Sequence, residues 1–259
     1  MLSKNEFNVL VALNGTPSIS QREIASKSGI SLGSANAALK SLTEKGMVSN
    51  GAINAEGKAA LSPFKVDNAI IMAAGLSSRF APISYEKPKG LLRVRGEVLI
   101  ERQIKQLKEA GINDITVVAG YKKEYFFYLE DTFGVTIVIN PEYASRNNNS
   151  TLMRVREKLG NTFICSSDDY FTENPFEPYV YQAYYAAQYC KGETSEWCIK
   201  EGPNKRIAGV TIGGSDSLIM LGHVYFDKAF SKRFSEILVA EYDRPETADK
   251  LWEQIYIDH

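Results

Sequence analysis

A short apolar strand that runs straight into a turn of small residues is the feature that most constrains this chain. The strand is predicted over residues 68–72, and the turn consists of Ala73, Ala74, Gly75, Leu76 and Ser77. Small residues let backbone N–H groups approach an anion closely, and two cations, Arg79 and Lys89, follow the turn. We predict a nucleotide-binding loop, with Arg79 on the outer phosphates and Lys89 on the α-phosphate. An ordinary strand-to-helix turn is the alternative.

Strand-like and helix-like segments alternate after this loop. An amphipathic helix carries Ile100, Ile104 and Leu107 and stops at Gly111. A continuous apolar run at 115–119 is typical of a strand buried on both faces, and runs at 135–139 and 162–165 repeat it. The pattern predicts an α/β domain with a mostly parallel, Rossmann-like sheet flanked by helices. Because ligands bind at the carboxyl ends of such strands, the loop after Met72 and the acidic turn after Cys165 belong to one predicted site.

Residues 1–64 have a different pattern, which predicts a small winged helix-turn-helix domain before the α/β domain at 65–259. A helical stripe ends at Asn14-Gly15, Ser20 and Glu23 form a capping-box pair, and a second helix is expected over 31–45. Two short alternating segments at 46–48 and 51–54 then indicate a hairpin. Helix, turn, helix and hairpin is the order found in this class of bacterial regulators.

The predicted recognition helix contains polar residues but no arginine. Ser31, Ser34, Asn36 and Lys40 are the candidates for DNA contacts. Residues 1–64 carry six lysines and arginines against four glutamates, a net charge of only +2. Strong DNA binders have a denser basic face. DNA binding and a role as a dimerisation or regulatory module are therefore both open.

Net charge and the content of cysteine and histidine limit the partners, the compartment and the metal sites that the chain can have. The net charge of the 259 residues is −1, so a DNA contact requires a local patch. Three cysteines without C-x-x-C spacing indicate free thiols in a reducing cytoplasm, and two histidines exclude a histidine-rich metal site. No apolar stretch is long enough for a membrane span, and no signal sequence is recognised. We expect a cytoplasmic two-domain protein, with a homodimer left open.

The loop and the cations behind it resemble the signature of nucleotidyltransferases that activate sugar phosphates and choline phosphate. That signature reads A-A-G-x-G-[ST]-R-[LF], followed by P-K after a short loop. The resemblance covers Ala73 to Leu92, with Ser77 in the place of the second glycine. It implies that residues 73–77 bind the nucleotide and that Arg79 and Lys89 are catalytic.

The same resemblance suggests a Mg²⁺ site. Asp168, just past a strand end, falls where the family has its metal-binding aspartate, although Ser166 replaces the first carboxylate of the usual D-x-D. A second ligand is expected at Glu253, in the acidic position of a W-D motif near the end of the domain. Mg²⁺ is commonly held by one or two carboxylates together with substrate phosphates. Asp168 and Asp169 as turn caps, and Glu253 on a solvated helix face, are the alternatives.

Further nucleotide contacts are expected from two loops. Asn148, Asn149 and Ser150 lie in a stretch similar to one that borders the nucleotide in choline-phosphate cytidylyltransferases. Tyr121, after Gly120, is expected at the wall of the base pocket. Helix capping is the alternative for the asparagines.

The acceptor is the most specific prediction. A quaternary ammonium needs aromatic faces and a counter-charge. Trp197, Tyr225 and Asp258 occur in the order found in bacterial CTP:phosphocholine cytidylyltransferases, and we predict that they bind choline. The substrates expected are CTP and phosphocholine, giving CDP-choline and pyrophosphate. A sugar-1-phosphate nucleotidyltransferase, with these aromatics in the core, and a nucleotide-sensing DNA-binding regulator are the alternatives. The base preference and any continuation past His259 are left open.

Overall fold

The computed structural model describes residues 1–78 and 81–259, so the predicted catalytic Arg79 lies outside the described residues. The chain divides into two compact units. The first is Met1–Lys65 with Tyr179–Tyr181, and the second is Val66–Pro178 with Gln182–His259. The sequence-based division at residue 64 did not include the short segment at 179–181. Within the described ranges, no helix is both long and apolar enough to cross a membrane.

The first unit has the predicted order of helices followed by a wing. Its elements are α1 (Lys4–Gly15), α2 (Gln21–Ser28), α3 (Leu32–Glu44), β1 (Val48–Ser49), β2 (Ala52–Ile53) and α4 (Ala55–Leu61). Ser20 and Glu23 form the predicted capping box of α2, and β1 pairs antiparallel with β2. The winged helix-turn-helix prediction is confirmed.

Apolar side chains from these helices form the core of the first unit. Leu10, Leu13 and Leu42 are fully buried. The Phe64 ring stacks on Tyr181, with centroids 5.5 Å apart and planes at 9°, and the Tyr181 hydroxyl donates to the Leu2 carbonyl at 3.0 Å. This packing explains why residues 179–181 group with the first unit although they are distant in sequence.

The second unit is an α/β domain. Its strands are β3 (Asn68–Ala73), β4 (Arg93–Val94), β5 (Glu97–Val98), β6 (Ile115–Ala119), β7 (Thr136–Ile139), β8 (Thr162–Ser166), β9 (Tyr184–Glu201) and β10 (Ile207–Phe226). Its helices are α5 (Leu99–Glu109), α6 (Tyr128–Phe133), α7 (Asn149–Arg154), α8 (Lys228–Tyr242) and α9 (Trp252–Ile257). The main sheet of the described residues has the strand order β7-β6-β3-β8-β10-β9.

Four adjacent strands, β7, β6, β3 and β8, run parallel, as predicted. Their core positions are closed to solvent; Ile70, Ile71, Val117 and Val118 are fully buried. Because β3 lies between β6 and β8, the loop after β3 and the turn after β8 are brought to the same edge of the sheet.

The antiparallel strands β9 and β10 were not predicted. β10 pairs with β8 and with β9, and its register with β9 shifts repeatedly. Much of both strands is exposed, so their side chains lack the continuous apolar run that marks the buried parallel strands. Cys165, Cys190 and Cys198 are free thiols, as the spacing predicted.

Candidate functional site

The loop after β3 turns sharply through Ser77. Its φ of 55° lies in the left-handed region, where glycine is the usual residue. The position at which the family signature has its second glycine therefore keeps a glycine-like conformation here. Ala73 is buried at the strand end, whereas Gly75 and Leu76 are exposed on the loop.

A cleft of about 430 Å³ opens beside this loop. Its lining includes Ala74, Gly75, Leu76, Ser78, Asn140, Tyr143, Arg146, Asn147, Asn148, Ser150, Thr151 and Asp249. The predicted loop residues and the asparagine-rich stretch thus share one cavity. Tyr121 does not line it, although its N–H donates to the Ala74 carbonyl at 3.1 Å and so supports the loop.

Gly120 permits the close packing behind the cleft. A Cβ at this position would lie 2.7 Å from both the Ala74 carbonyl oxygen and the Tyr143 Cβ. Such distances are excluded for real side chains, so only glycine allows the end of β6, the loop after β3 and Tyr143 to meet.

Lys89 and Asp168 form an ion pair at the carboxyl ends of the strands. Lys89 Nζ donates to Asp168 Oδ2 at 2.8 Å, and the Ser166 hydroxyl donates to Oδ1 at 2.6 Å. Burial alone would raise the pKa of Asp168, but the Lys89 ammonium and the Ser166 hydroxyl lower it below its usual range. Asp168 is therefore ionised at neutral pH, and Lys89 and Asp168, predicted separately, are in contact.

Asp169 has a different environment from its neighbour. Its Oδ2 is buried without a hydrogen-bond partner among the described residues. Burial, together with the charge of Asp168, raises the pKa of Asp169 to about 7. A Cβ on Gly222 would lie 3.0 Å from Oδ2 and 2.5 Å from the Ser166 Cβ, so Gly222 gives the acidic turn its space against β10.

Glu253 is a second buried carboxylate, at the start of α9. Tyr185 donates to its Oε1 at 3.0 Å, while Oε2 has no hydrogen-bond partner in the described part of the chain. Burial raises the pKa of Glu253 to about 7, and the Tyr185 hydroxyl and the nearby Asn148 side chain oppose that rise. Burial, followed by the charges of Glu253 and Asp169, raises the pKa of the Tyr185 hydroxyl.

Gln103 holds the acidic turn in place, and the sequence interpretation missed it. Its side-chain N–H groups donate to the carbonyls of Ser166 at 2.8 Å and Asp169 at 2.9 Å. It is fully buried on α5, beside Ile100 and Ile104. A polar residue within the apolar stripe of a helix was the available signal.

The asparagine-rich stretch serves mainly as internal structure. Asn149 is fully buried and donates to the Thr247 and Lys250 carbonyls, so its prediction as a nucleotide ligand is corrected. Asn148 accepts from the Trp252 N–H at 2.8 Å, and Ser150 accepts from the buried Asn140 amide at 2.9 Å. Asn148 and Ser150 nevertheless line the cleft and remain predicted nucleotide contacts.

The predicted aromatic box does not form. Tyr225 is fully buried and packs on Phe163, with centroids 5.3 Å apart. Trp197 lies opposite Ile212 in the β9–β10 hairpin, away from the pairing of Tyr225 with Tyr184. Asp258 is paired with Lys250 at 2.7 Å. Tyr225 in the core and Asp258 in an ion pair are therefore not free to bind the acceptor as the sequence suggested.

Within residues 1–78 and 81–259, no cluster of three or more histidine, cysteine or carboxylate side chains has the arrangement of a metal site. A cation at this edge of the sheet must therefore use few protein ligands. Mg²⁺ accepts this arrangement, since it usually keeps several waters and substrate phosphates.

Two protein families match the chain. Residues 69–188 match the MobA-like NTP transferase domain, and residues 2–49 match a winged helix-turn-helix DNA-binding family. These matches correspond to the α/β unit and to the helical unit, respectively.

Similar proteins cover most of the α/β unit. A choline-phosphate cytidylyltransferase of Streptococcus pneumoniae is 34% identical over 74% of this chain and 83% of the relative. A 2-aminoethylphosphonate cytidylyltransferase of Lancefieldella rimae is 36% identical over 74% of this chain and 79% of the relative.

Solved structures of nucleotidyltransferases also superimpose on this chain. A CTP:phosphocholine cytidylyltransferase from Streptococcus pneumoniae superimposes with a TM-score of 0.70 at 32% identity, over 74% of this chain and 84% of that one. A UDP-glucose pyrophosphorylase superimposes with a TM-score of 0.56 at 14% identity, covering 74% of this chain and 86% of that one, which shows the shared fold alone.

Proposed function

The chain belongs to the cytidylyltransferase family of nucleotidyltransferases, and on this premise we propose that it transfers the cytidylyl group of CTP to phosphocholine. The observation that carries the proposal is the contact between Lys89 and the acidic turn after β8, a strand that runs parallel to β3 and ends at the same edge of the sheet. A cation, carboxylates and a phosphate-binding loop at one sheet edge are the groups that nucleotidyl transfer requires.

The reaction needs little covalent chemistry from the protein. An oxygen of the phosphocholine phosphate attacks the α-phosphorus of CTP, and the bond from that phosphorus to the bridging oxygen breaks as pyrophosphate leaves. No general base is needed, because a phosphate dianion is already nucleophilic. Lys89 binds the α-phosphate and neutralises charge that moves to the leaving group, and the loop at 73–77 holds the nucleotide in line. Arg79 is assigned to the outer phosphates from its place in the sequence.

The carboxylates fit a divalent cation. Asp169 Oδ2 and Glu253 Oε2 are buried without a hydrogen-bond partner among the described residues, and carboxylate oxygens are the preferred ligands of Mg²⁺. We assign Asp168 and Glu253 to hold Mg²⁺ together with water and substrate phosphates. When bound, the ion supplies positive charge that stabilises the triphosphate.

The compounds for which the two relatives are named share chemical groups, and these groups limit the choice of acceptor. The two relatives are named for choline phosphate and for 2-aminoethylphosphonate, and each of those compounds joins a phosphorus dianion to a nitrogen cation. Phosphocholine is proposed here, with 2-aminoethylphosphonate as the competing acceptor. The experiment is ³¹P NMR of the product from CTP and phosphocholine, which should show the coupled pair of signals of a pyrophosphate diester. Free CMP and pyrophosphate would instead reveal hydrolysis without transfer.

The second candidate function is the binding of double-stranded DNA by the first unit. The family that matches this unit is described as DNA-binding, and we assign α3 the role of recognition helix. Lys45 already bonds to Glu6, and Lys40 lies 3.9 Å from Glu44, so few cations remain for phosphates. We expect weak binding by the full chain, falling about tenfold between 50 and 200 mM salt, as for two phosphate contacts. No anisotropy change with duplex DNA at 50 mM salt would overturn this role.

A further inference from the structure

Two adjacent tyrosines begin β9, and their side chains have separate partners. The Tyr184 hydroxyl lies 2.9 Å from His223 Nε2, and the Tyr185 hydroxyl donates to Glu253 Oε1 at 3.0 Å. Consecutive strand residues point to opposite faces of a sheet. The chain therefore contains a natural pair in which one tyrosine contacts the proposed metal site and the other does not.

Tyr185 is held in place by the helix that carries Glu253. Its ring stacks on Trp252, with centroids 6.0 Å apart and planes at 16°, and Trp252 is itself buried. The Trp252 N–H donates to Asn148, which ties the start of α9 to the cleft. At neutral pH a tyrosine hydroxyl keeps its proton, so Tyr185 is the donor and the carboxylate oxygen of Glu253 is the acceptor.

A glutamate at this position needs such a donor. Compared with aspartate it has one more methylene and one more rotatable bond, so its carboxylate has more orientations to choose from. The hydrogen bond from Tyr185 selects one of them. Oε1 is engaged, and Oε2 is left without a partner among the described residues.

We propose that Tyr185 is a positioning residue for cation binding, because its hydroxyl holds Glu253 Oε1 and leaves Oε2 free for the ion. The inference rests on the Mg²⁺ site of the proposed function. Groups that orient metal ligands are commonly worth 10–100-fold in metal affinity. A residue with only a packing role would not behave in this way. Removal of the Tyr185 hydroxyl alone should weaken metal binding while the ring keeps its contact with Trp252.

The test is Mn²⁺ binding to the full-length protein without nucleotide, followed by the electron paramagnetic resonance signal of free Mn²⁺. Tyr185→Phe retains the ring and removes the hydroxyl, and we expect about 10-fold to 100-fold weaker Mn²⁺ binding. Tyr184→Phe is the matched control. It removes a hydroxyl from the next residue and should leave the Mn²⁺ affinity unchanged. Melting temperatures of both variants report any general loss of structure.

The Glu253→Gln variant distinguishes failure of the positioning role of Tyr185 from failure of the metal site itself. If Glu253→Gln loses Mn²⁺ binding and Tyr185→Phe binds Mn²⁺ like the wild type, the positioning role is overturned and the metal site stands. If Glu253→Gln also binds like the wild type, the metal site itself fails. A second readout is the Mg²⁺ concentration for half-maximal rate, which should rise in Tyr185→Phe while the rate at saturating Mg²⁺ changes less.

Discussion

Asp168 and Asp169 are neighbours in the chain, yet their carboxylates have opposite electrostatic environments. Asp168 accepts from Lys89 Nζ at 2.8 Å, which holds its pKa below the usual range against the effect of burial. Asp169 has a buried oxygen with no hydrogen-bond partner in the described residues, and burial raises its pKa to about 7. The environment in this turn thus favours the charged form of Asp168 and disfavours the charged form of Asp169.

Opposite stability changes are expected from the two isosteric substitutions at pH 8. Asp169→Asn removes a buried charge and should raise the free energy of unfolding of the metal-free protein by on the order of 2 kcal/mol. Asp168→Asn leaves Lys89 without its carboxylate and should lower that free energy. Urea unfolding in EDTA measures both. Equal effects of the same sign would contradict the assigned environments.

The stability difference between Asp169→Asn and the wild type should also depend on pH. The pKa of Asp169 is about 7 in the folded protein, above its unfolded value of 3.8. The folded state therefore binds this proton more tightly, and wild-type stability falls as the pH rises from about 4 to 7. The advantage of Asp169→Asn should grow over that interval and stay constant above it. Unfolding curves at pH 4, 6 and 8 measure the trend, and an advantage that shrinks with rising pH would count against it.

Lys89→Ala should lower kcat by about 100-fold or more, because Lys89 neutralises charge that develops in the transition state. Lys87→Ala, an exposed lysine two residues away, is the control and should retain the wild-type rate. Circular dichroism at the assay temperature checks that both variants are folded. A folded Lys89→Ala variant with an unchanged rate would remove Lys89 from the mechanism.

Tyr225→Phe should leave the KM for phosphocholine within about twofold of the wild type, since its ring is in the core and its hydroxyl is buried without a partner among the described residues. Removing an unsatisfied hydroxyl should be neutral or slightly stabilising. Initial rates against phosphocholine concentration provide the check. A large rise in KM with an unchanged melting temperature would restore Tyr225 to the acceptor site.

Glu6→Gln should destabilise the protein by about 2 kcal/mol at neutral pH, because Glu6 accepts hydrogen bonds from Lys45, Ser41 and Ser3. Burial tends to raise the pKa of Glu6, but these bonds lower it to about 2. The wild-type advantage is therefore present above the unfolded pKa of 4.5 and is lost as the pH falls toward 2.

Glu23→Gln is the matched control for Glu6→Gln. Glu23 has the same capping-box position in α2 but is exposed, and its hydrogen-bond donors belong to Ser20. Its replacement should cost less in thermal unfolding experiments. A pH-independent loss in Glu6→Gln would show that packing, rather than the charge, accounts for the effect.

The buried parallel strands were the easiest elements to predict from sequence. β6 has the predicted bounds, Ile115–Ala119, because a continuous apolar run between polar residues defines a strand covered on both faces. The loop after β3 and the acidic turn after β8 were placed at one edge by the rule for parallel sheets. Their side chains meet through Lys89 and Asp168.

The orientation of the side chains at the candidate site could not be predicted from the sequence. Asp168, not Asp169, contacts Lys89, and the turn is held by Gln103, a residue of another element whose contacts do not follow from chain order. The predicted aromatic box was wrong for a related reason, since the order of Trp197, Tyr225 and Asp258 along the chain did not reveal that Tyr225 is in the core and that Asp258 is paired with Lys250. Tyr185 carried no signal in a chain with fourteen tyrosines.

Pyrophosphate release tests the central claim most directly. The full-length protein is assayed with Mg²⁺ and CTP in the presence of phosphocholine, 2-aminoethylphosphonate or glucose-1-phosphate, and again with UTP in place of CTP. The account predicts rapid release with CTP and phosphocholine, slower release with 2-aminoethylphosphonate, and none with glucose-1-phosphate. Release only with UTP and glucose-1-phosphate, or no release in any combination, would contradict it.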